Sequence, residues 1–360
     1  MNFVKIMKFG GTSVGSPERM RALIPLITDD ERKIVVLSAM SGTTNSLVEI
    51  SDLLYSGNAT GAMNKIEILR EKYHKVVNEL YETEAFRKSG LEMINSHFGS
   101  LTNIASRSFT KQQEKAVLAE GELMSTALVH LMLQEKNIKS YLLPALNYMR
   151  VDKDGEPDYF YIEENLKREL RKCDSKSIII TQGFICRNAY GEIDNLKRGG
   201  SDYTASIIGS VLKVREIQIW TDISGFHNND PRFVENTRVI RELSFDEAAE
   251  LAYFGAKILH PATVNPAKIN NIPVRLKNTM EPEDEGTLIT ASTTQADYKA
   301  VAAKDGISVI RIRSDRMLMA YGFLRKVFEI FEAYRTPIDM IATSEVSVSL
   351  TIDNPQNLEQ

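Results

Sequence analysis

Short apolar runs alternate with helical periodicities along most of the chain. Phe3, Val4, Ile6, Met7 and Phe9 form the first run, broken by Lys5 and Lys8, and read as a buried strand. Ile34-Val35-Val36-Leu37 is β-branched and too brief for a helix, as suits a parallel strand covered on both faces. Tyr141 to Leu143, Ile178 to Thr181 and Ile217 to Trp220 repeat the pattern. Between them, Arg19 to Ile27 carries apolar residues at helical spacing, and Ser16-Pro17-Glu18 supplies its cap, its first-turn proline and an acid. Leu47 to Gln134 is mostly helical in pattern, with loops expected near Gly57-Asn58 and from Ser96 to Ser100. Phe184 to Lys197 reads as a hairpin turning at Asn188 to Gly191, and Ala205, Ile207, Ile208, Val211 and Leu212 mark a further helix. Ser244-Phe245-Asp246-Glu247 is a capping box whose helix is expected to stop at Gly255. Strands alternating with helices predict an α/β fold, a mostly parallel sheet sandwiched by helices.

The character changes from about Ala291. Ser292 to Asp297 is a polar linker, Ile307 to Ile312 alternates like a strand, and Phe323 to Tyr334 is an amphipathic helix. Ile338 to Ile341 and Val346 to Ile352 read as two more strands. The expected division is a body at 1–291 and a smaller module at 298–360. That β-α-β-β order is an incomplete α+β module, and a truncated chain is the expectation.

Candidate chemistry gathers where strands end. Lys8-Phe9-Gly10-Gly11-Thr12-Ser13 turns from the first strand towards a helix, an arrangement that suits an anion. It is not a G-x-x-x-x-G-K-[ST] loop, since the lysine precedes the glycines. On these six residues alone, an ordinary Gly-Gly turn beside an exposed lysine explains the pattern as well. Ser38, Gly183 and Asp222 also follow apolar runs directly, and Arg198-Gly199-Gly200-Ser201-Asp202 forms a second Gly-Gly loop before a helix. In a parallel sheet these positions share the crevice beyond the carboxyl ends of the strands. Two Gly-rich loops, Lys8, Lys257 and Asp202 suit transfer of a phosphoryl group, which needs positioning and charge neutralisation more than covalent chemistry.

Composition narrows the choice. The 360 residues are 43% hydrophobic and 26% charged, ordinary values for a globular protein. A formal charge of −4 argues against a nucleic-acid surface. Two cysteines are too few for a disulfide framework, and the five histidines lack metal-ligand spacing. No apolar run is read as spanning a membrane and no signal peptide is visible, so a cytoplasmic location is expected.

The Lys8 to Ser13 motif resembles the signature of aspartate kinases within the amino-acid kinase family. The resemblance continues through Ser38-Ala39, Gly121 to Ser125, Thr181 to Phe184 and Arg198 to Ala205. It extends over Trp220 to Asp222, Asp230 to Arg232, Phe254 to Lys257 and Leu259 to Pro261. Thr343 to Val348 looks like the regulatory ACT module of the same enzymes.

The resemblance implies phosphorylation of L-aspartate by ATP with Mg2+. Lys8 would contact the phosphates and the transferring group, with Gly10 and Gly11 as backbone donors, and Asp202 would organise the lysines. Glu122 would receive the α-ammonium of aspartate and Arg198 its α-carboxylate, while Ser38, Ala39, Thr44, Phe184 and Ser201 line the pocket. Thr221, Asp222, His227, Arg232 and Lys257 would hold the nucleotide. His227 stands where many members carry tyrosine, and Ser224 replaces a common acid. Met317, Gly322, Phe323, Leu324, Asp339, Ser344 and Glu345 match positions that contact an effector amino acid, lysine or threonine. A homodimer is the family's usual state, and weakened feedback control is expected of a shortened module. Taken alone, Glu122 also reads as an exposed helix acid and Arg198 as a solvated turn residue. The rival readings are a kinase of glutamate or acetylglutamate, and a non-catalytic amino-acid sensor.

Overall fold

The computed structural model describes residues 5–196, 199–255, 258–293, 299–314 and 321–353. It divides into two compact units, Met1–Val301 and Ala302–Gln360. The larger unit opens with β1 (Lys5–Phe9), α1 (Pro17–Ala22), α2 (Ile24–Ile27) and β2 (Lys33–Leu37). Four helices follow: α3 (Thr43–Tyr55), α4 (Ala59–Leu80), α5 (Glu84–Ala105) and α6 (Lys111–Glu135). Then come β3 (Ser140–Leu143), a 3-10 turn (Ala145–Asn147), α7 (Tyr159–Leu170), β4 (Ile178–Gln182) and the hairpin β5 (Ile185–Arg187) and β6 (Ile193–Asn195). The unit closes with α8 (Gly200–Leu212), β7 (Glu216–Thr221), β8 (Glu242–Ser244), α9 (Phe245–Tyr253), α10 (Pro261–Ile269), β9 (Val274–Asn278) and β10 (Thr287–Thr290).

Eight of these strands form one sheet in the order β3-β4-β2-β1-β7-β9-β10-β8. Only the β9–β10 pair is antiparallel. Side chains alternate across the pleat, so each face builds its own core. Ile6, Ile34, Val36, Ile179 and Ile217 pack with Ile162, Leu166, Ile207 and Ile208 on one side. Met7, Phe9, Val35, Leu37, Ile180 and Trp220 pack with Leu47, Ile66, Phe98 and Met124 on the other. Both faces are apolar because helices cover both, which is why the strands read as continuous hydrophobic runs.

Several sequence expectations change. Ser96 to Ser100 is not a loop but lies inside α5. Ile94, Phe98, Leu101 and Ala105 hold a buried stripe through it, and the Ser100 hydroxyl donates back to the Ser96 carbonyl. The helix opened by the Ser244–Glu247 capping box ends at Tyr253, just before Gly255. α6 is long and apolar enough to cross a membrane by length and composition, which the sequence reading did not notice. Here it is a core helix, with Val117, Met124, Leu128, Val129, Met132 and Leu133 buried.

The smaller unit contains β11 (Ser308–Arg313), α11 (Phe323–Ala333), β12 (Met340–Thr343) and β13 (Ser347–Ile352), the β-α-β-β order expected. Its sheet runs β11-β13-β12, both pairs antiparallel, over a small core of Val327, Val348 and Leu350.

Ile180 is fully buried at the β4 position facing α6. Ile180→Ala is expected to lower the unfolding free energy by about 2–5 kcal/mol, read as a shift in the urea midpoint at unchanged slope.

Candidate active site

The ends of β4, β2, β1 and β7 are neighbours in the sheet, so Gly183, Ser38, Gly10 and Asp222 emerge along one edge. The hydrogen-bond ladder continues one step past each strand. Gly183 N–H donates to Leu37 O (2.9 Å), Ser38 N–H to Phe9 O (3.2 Å) and Gly10 N–H to Trp220 O (3.0 Å). The loops therefore start in register. The Gly10 amide is committed to that ladder, so the expectation that it offers a donor to phosphate does not hold in this structure. Gly11 has a different reason to be glycine, because a Cβ there would stand 2.8 Å from the Ala39 carbonyl oxygen.

A cavity of about 350 Å³ opens at this edge. Its lining brings together Lys8, Gly11, Ser38, Ala39, Thr44, Glu122, Phe184 and Ser201, all of them sequence candidates. Gly199 and Gly200 of the second Gly-Gly loop line it as well, and so do Met40, Ser41, Gly42 and Asn45, which sequence reasoning did not assign to the site. Their only signal was the cluster of small and polar residues at the turn after β2.

One wall is the contact between α6 and the turn after β2. A Cβ on Gly121 would stand 2.8 Å from Ala39 Cβ, so only glycine admits this approach. Glu122 Oε1 then accepts the Ala39 N–H at 3.1 Å, and Ser125 Oγ donates to the Ser38 carbonyl at 2.7 Å. Glu122 is only 6% exposed. Burial pushes its carboxyl up to about 8, against the Ala39 N–H and the Lys8 charge, which favour the ionised form. Glu122 is thus a buried acid of the pocket and not an exposed helix residue.

The opposite wall carries charge. Lys8, nearly buried at the end of β1, pairs with Asp202 Oδ1 at 2.6 Å. Asp202 sits in the first turn of α8. A close approach holds this helix start too: Ser201 packs so tightly on Gly183 that a Cβ there would fall 2.3 Å from it. Phe184 has φ +64, rare for a side chain with a Cβ, and its N–H donates to Thr204 Oγ1 at 3.0 Å.

The remaining candidates lie elsewhere. Thr221 ends β7 and Asp222 follows it, beside the first glycine loop, and the Thr221 hydroxyl donates to Asp222 Oδ1 at 3.1 Å. His227 Nδ1 lies 2.9 Å from Thr237 Oγ1, and exposed Arg232 grips Asp230 with two nitrogens, the closer at 2.6 Å. Neither residue lines the 350 Å³ cavity. Arg198, Lys257 and Met317 lie outside the described residues. In the smaller unit Gly322 is the N-cap of α11, with Phe323 and Leu324 in its first turn. Asp339 precedes β12 whereas Ser344 and Glu345 follow it, so a strand length of roughly 13 Å separates them. His260 caps α10, its Nδ1 accepting the Ala262 N–H at 3.2 Å, and His97 pairs with Glu120 at 2.6 Å.

Among the described residues no three His, Cys, Asp or Glu side chains gather to hold a metal. Asp202 is the carboxylate beside Lys8. This donor set suits a hard cation held mainly by phosphate oxygens and water, with at most one protein carboxylate.

The model of the amino acid kinase family matches residues 4–278. Lysine-sensitive aspartokinase 3 of Escherichia coli (strain K12) is 34% identical over 358 residues, covering 98% of this chain and 79% of that protein. Chloroplastic aspartokinase 2 of Arabidopsis thaliana is 35% identical over 363 residues, 97% of this chain and 66% of the relative. Among solved structures, E. coli aspartokinase III in complex with aspartate and ADP (R-state) superposes with a TM-score of 0.82 at 33% identity, covering 98% of this chain and 79% of that one. The same enzyme in complex with lysine and aspartate (T-state) gives a TM-score of 0.79 at 32% identity, with the same coverage.

Because Glu122 holds its proton more tightly when folded, it stabilises the fold fully below about pH 4.5, and that contribution fades as pH rises through about 8. The stability advantage of the unaltered chain over Glu122→Gln is expected to shrink by on the order of 4 kcal/mol between about pH 5 and pH 9, as each pKa unit is worth about 1.36 kcal/mol. Urea unfolding of both chains across that range measures it.

Proposed function

The chain belongs to the amino acid kinase family, and from that premise we infer that it is an aspartokinase. It transfers the γ-phosphoryl group of ATP to the side-chain carboxylate of L-aspartate, giving 4-phospho-L-aspartate and ADP. One observation carries the reading: buried Glu122 and Lys8, the ion-pair partner of Asp202, line a single cavity at the carboxyl edge of the sheet.

The nucleophile is a carboxylate, already ionised near neutral pH, so no general base is needed. One carboxylate oxygen forms the new bond to Pγ while the bond from Pγ to the bridging oxygen breaks and its electrons leave with ADP. The obstacle is repulsion between two anions, which Lys8 offsets. Asp202 orients Lys8 and keeps its ammonium at the end of β1. Gly11 lets the chain pass close to the phosphates. Asp202 would be the carboxylate available to magnesium, which when bound would supply charge neutralisation on the phosphates. Thr221, Asp222, His227 and Arg232 hold the nucleotide, and Lys257 is assigned to its phosphates.

Glu122 receives the α-ammonium of aspartate. Its carboxyl ionises as the cation arrives, so the pair forms in a dry site where it is strong. Arg198 takes the α-carboxylate in a two-pronged contact. Ser38, Ala39, Thr44, Phe184 and Ser201 close the pocket around a four-carbon acid. The smaller unit binds an effector amino acid, lysine or threonine, through Met317, Gly322 to Leu324, Asp339, Ser344 and Glu345. Separation of Asp339 from Ser344 along one chain, and the exposed edge strand β12 with Met340 and Ile341, support pairing of two copies through this module.

Magnesium-dependent ADP release from ATP is expected with L-aspartate and not with L-glutamate. Lys8→Ala is expected to lower kcat at least about 100-fold. Equal turnover with glutamate, or full activity in the variant, overturns the assignment.

A further inference from the structure

We propose that Tyr73 and Lys72, neighbours on α4, are positioning residues that clamp the rim of the amino-acid pocket from behind and so set its affinity for aspartate. This rests on the reading of that cavity as the aspartate site.

The rim is the turn Ser41-Gly42 and the start of α3. Gly42 is the N-cap of α3, has φ +78 and offers no side chain to cap the helix. The start of α3 therefore lacks the usual local tether. Its restraint comes from α4. Tyr73 is completely buried, and its hydroxyl lies 3.0 Å from Thr43 Oγ1, on the first residue of the helix. One residue away, Lys72 Nζ donates to the Ser41 carbonyl at 2.9 Å. Both rim residues are thus held from one helical turn about 30 positions along the chain.

The ring itself is fixed. Phe98 of α5 meets it edge-on, with centroids 5.8 Å apart and planes at 68°. Thr43 in turn abuts the α6 wall, its Cγ2 lying 3.5 Å from where a Cβ on Gly121 would stand. Thr43 is buried, and its successor Thr44 lines the cavity. A shift of Thr43 moves Thr44 along the pocket mouth and loosens the packing beside Glu122. Burial holds the phenol in its neutral form, so it acts as a hydrogen-bonding group.

Tyr73→Phe keeps the ring and removes only the hydroxyl; Thr43→Val removes the partner at nearly equal volume. In the active full chain with ATP and magnesium, each is expected to raise KM for aspartate about tenfold, with KM for ATP and kcat within about twofold. The double variant is expected to be no worse than either single change, because both break the same bond. Thr43→Ser restores the hydroxyl and KM, while Lys72→Met gives a smaller rise. Unchanged KM for aspartate in Tyr73→Phe and Thr43→Val, with only a lower urea midpoint, overturns the inference and leaves a purely structural bond. A rise in both KM values together also overturns it. If the unaltered chain neither binds nor turns over aspartate, the reading of the cavity falls and this inference falls with it.

Discussion

The approach of α6 to the turn after β2 sets the geometry of the site. With no Cβ on Gly121, helix and turn meet at van der Waals distance, and hydrogen bonds from Ala39 N–H to Glu122 and from Ser125 to Ser38 O lock them together. That contact excludes water from Glu122 and raises the affinity of its carboxyl for a proton. It also sets how far the acid stands from Lys8 on the next strand. A wider gap admits water, restores ordinary acidity and removes the electrostatic leverage of the pocket.

The two sides of the crevice are built differently. The walls of the Glu122 cavity are joined by bonds between distant segments, such as Phe184 N–H to Thr204 and Tyr73 to Thr43. On the side of β7 the candidate residues bond to near neighbours: Thr221 to Asp222 and Arg232 to Asp230. Such local pairs lie on exposed loops and are easily exchanged for ligand contacts.

Legibility in the sequence followed the physics of each element. The run Ile34 to Leu37 was readable because both faces of a parallel strand are covered, and Gly10, Ser38, Gly183 and Asp222 were readable together because such strands end on one edge. β9 was missed because Val-Arg-Leu-Lys-Asn alternates with basic residues. Their partners are tertiary: Arg275 pairs with Glu216, and Lys277 lies 4.9 Å from the Trp220 ring centroid. The supposed break at Ser96 to Ser100 came from weighing small polar residues above the stripe of Phe98 and Leu101. No local pattern marks Tyr73 as a neighbour of Thr43, nor reveals that Glu122 is dry.

The placement of β1 at the centre of the sheet governs how the chain comes together. Its first partner, β2, follows after two short helices, but its second, β7, pairs Lys5 with Glu216 far along the chain. The Ser13 hydroxyl waits longer still for Thr279, at 2.7 Å. During synthesis at about 5–20 residues per second, one edge of β1 stays open for roughly 10–40 s. Over that interval the nascent chain displays an unpaired apolar strand, a template for wrong pairing. The tightly packed helices α3 to α6, made in the meantime, can shelter only one face of it.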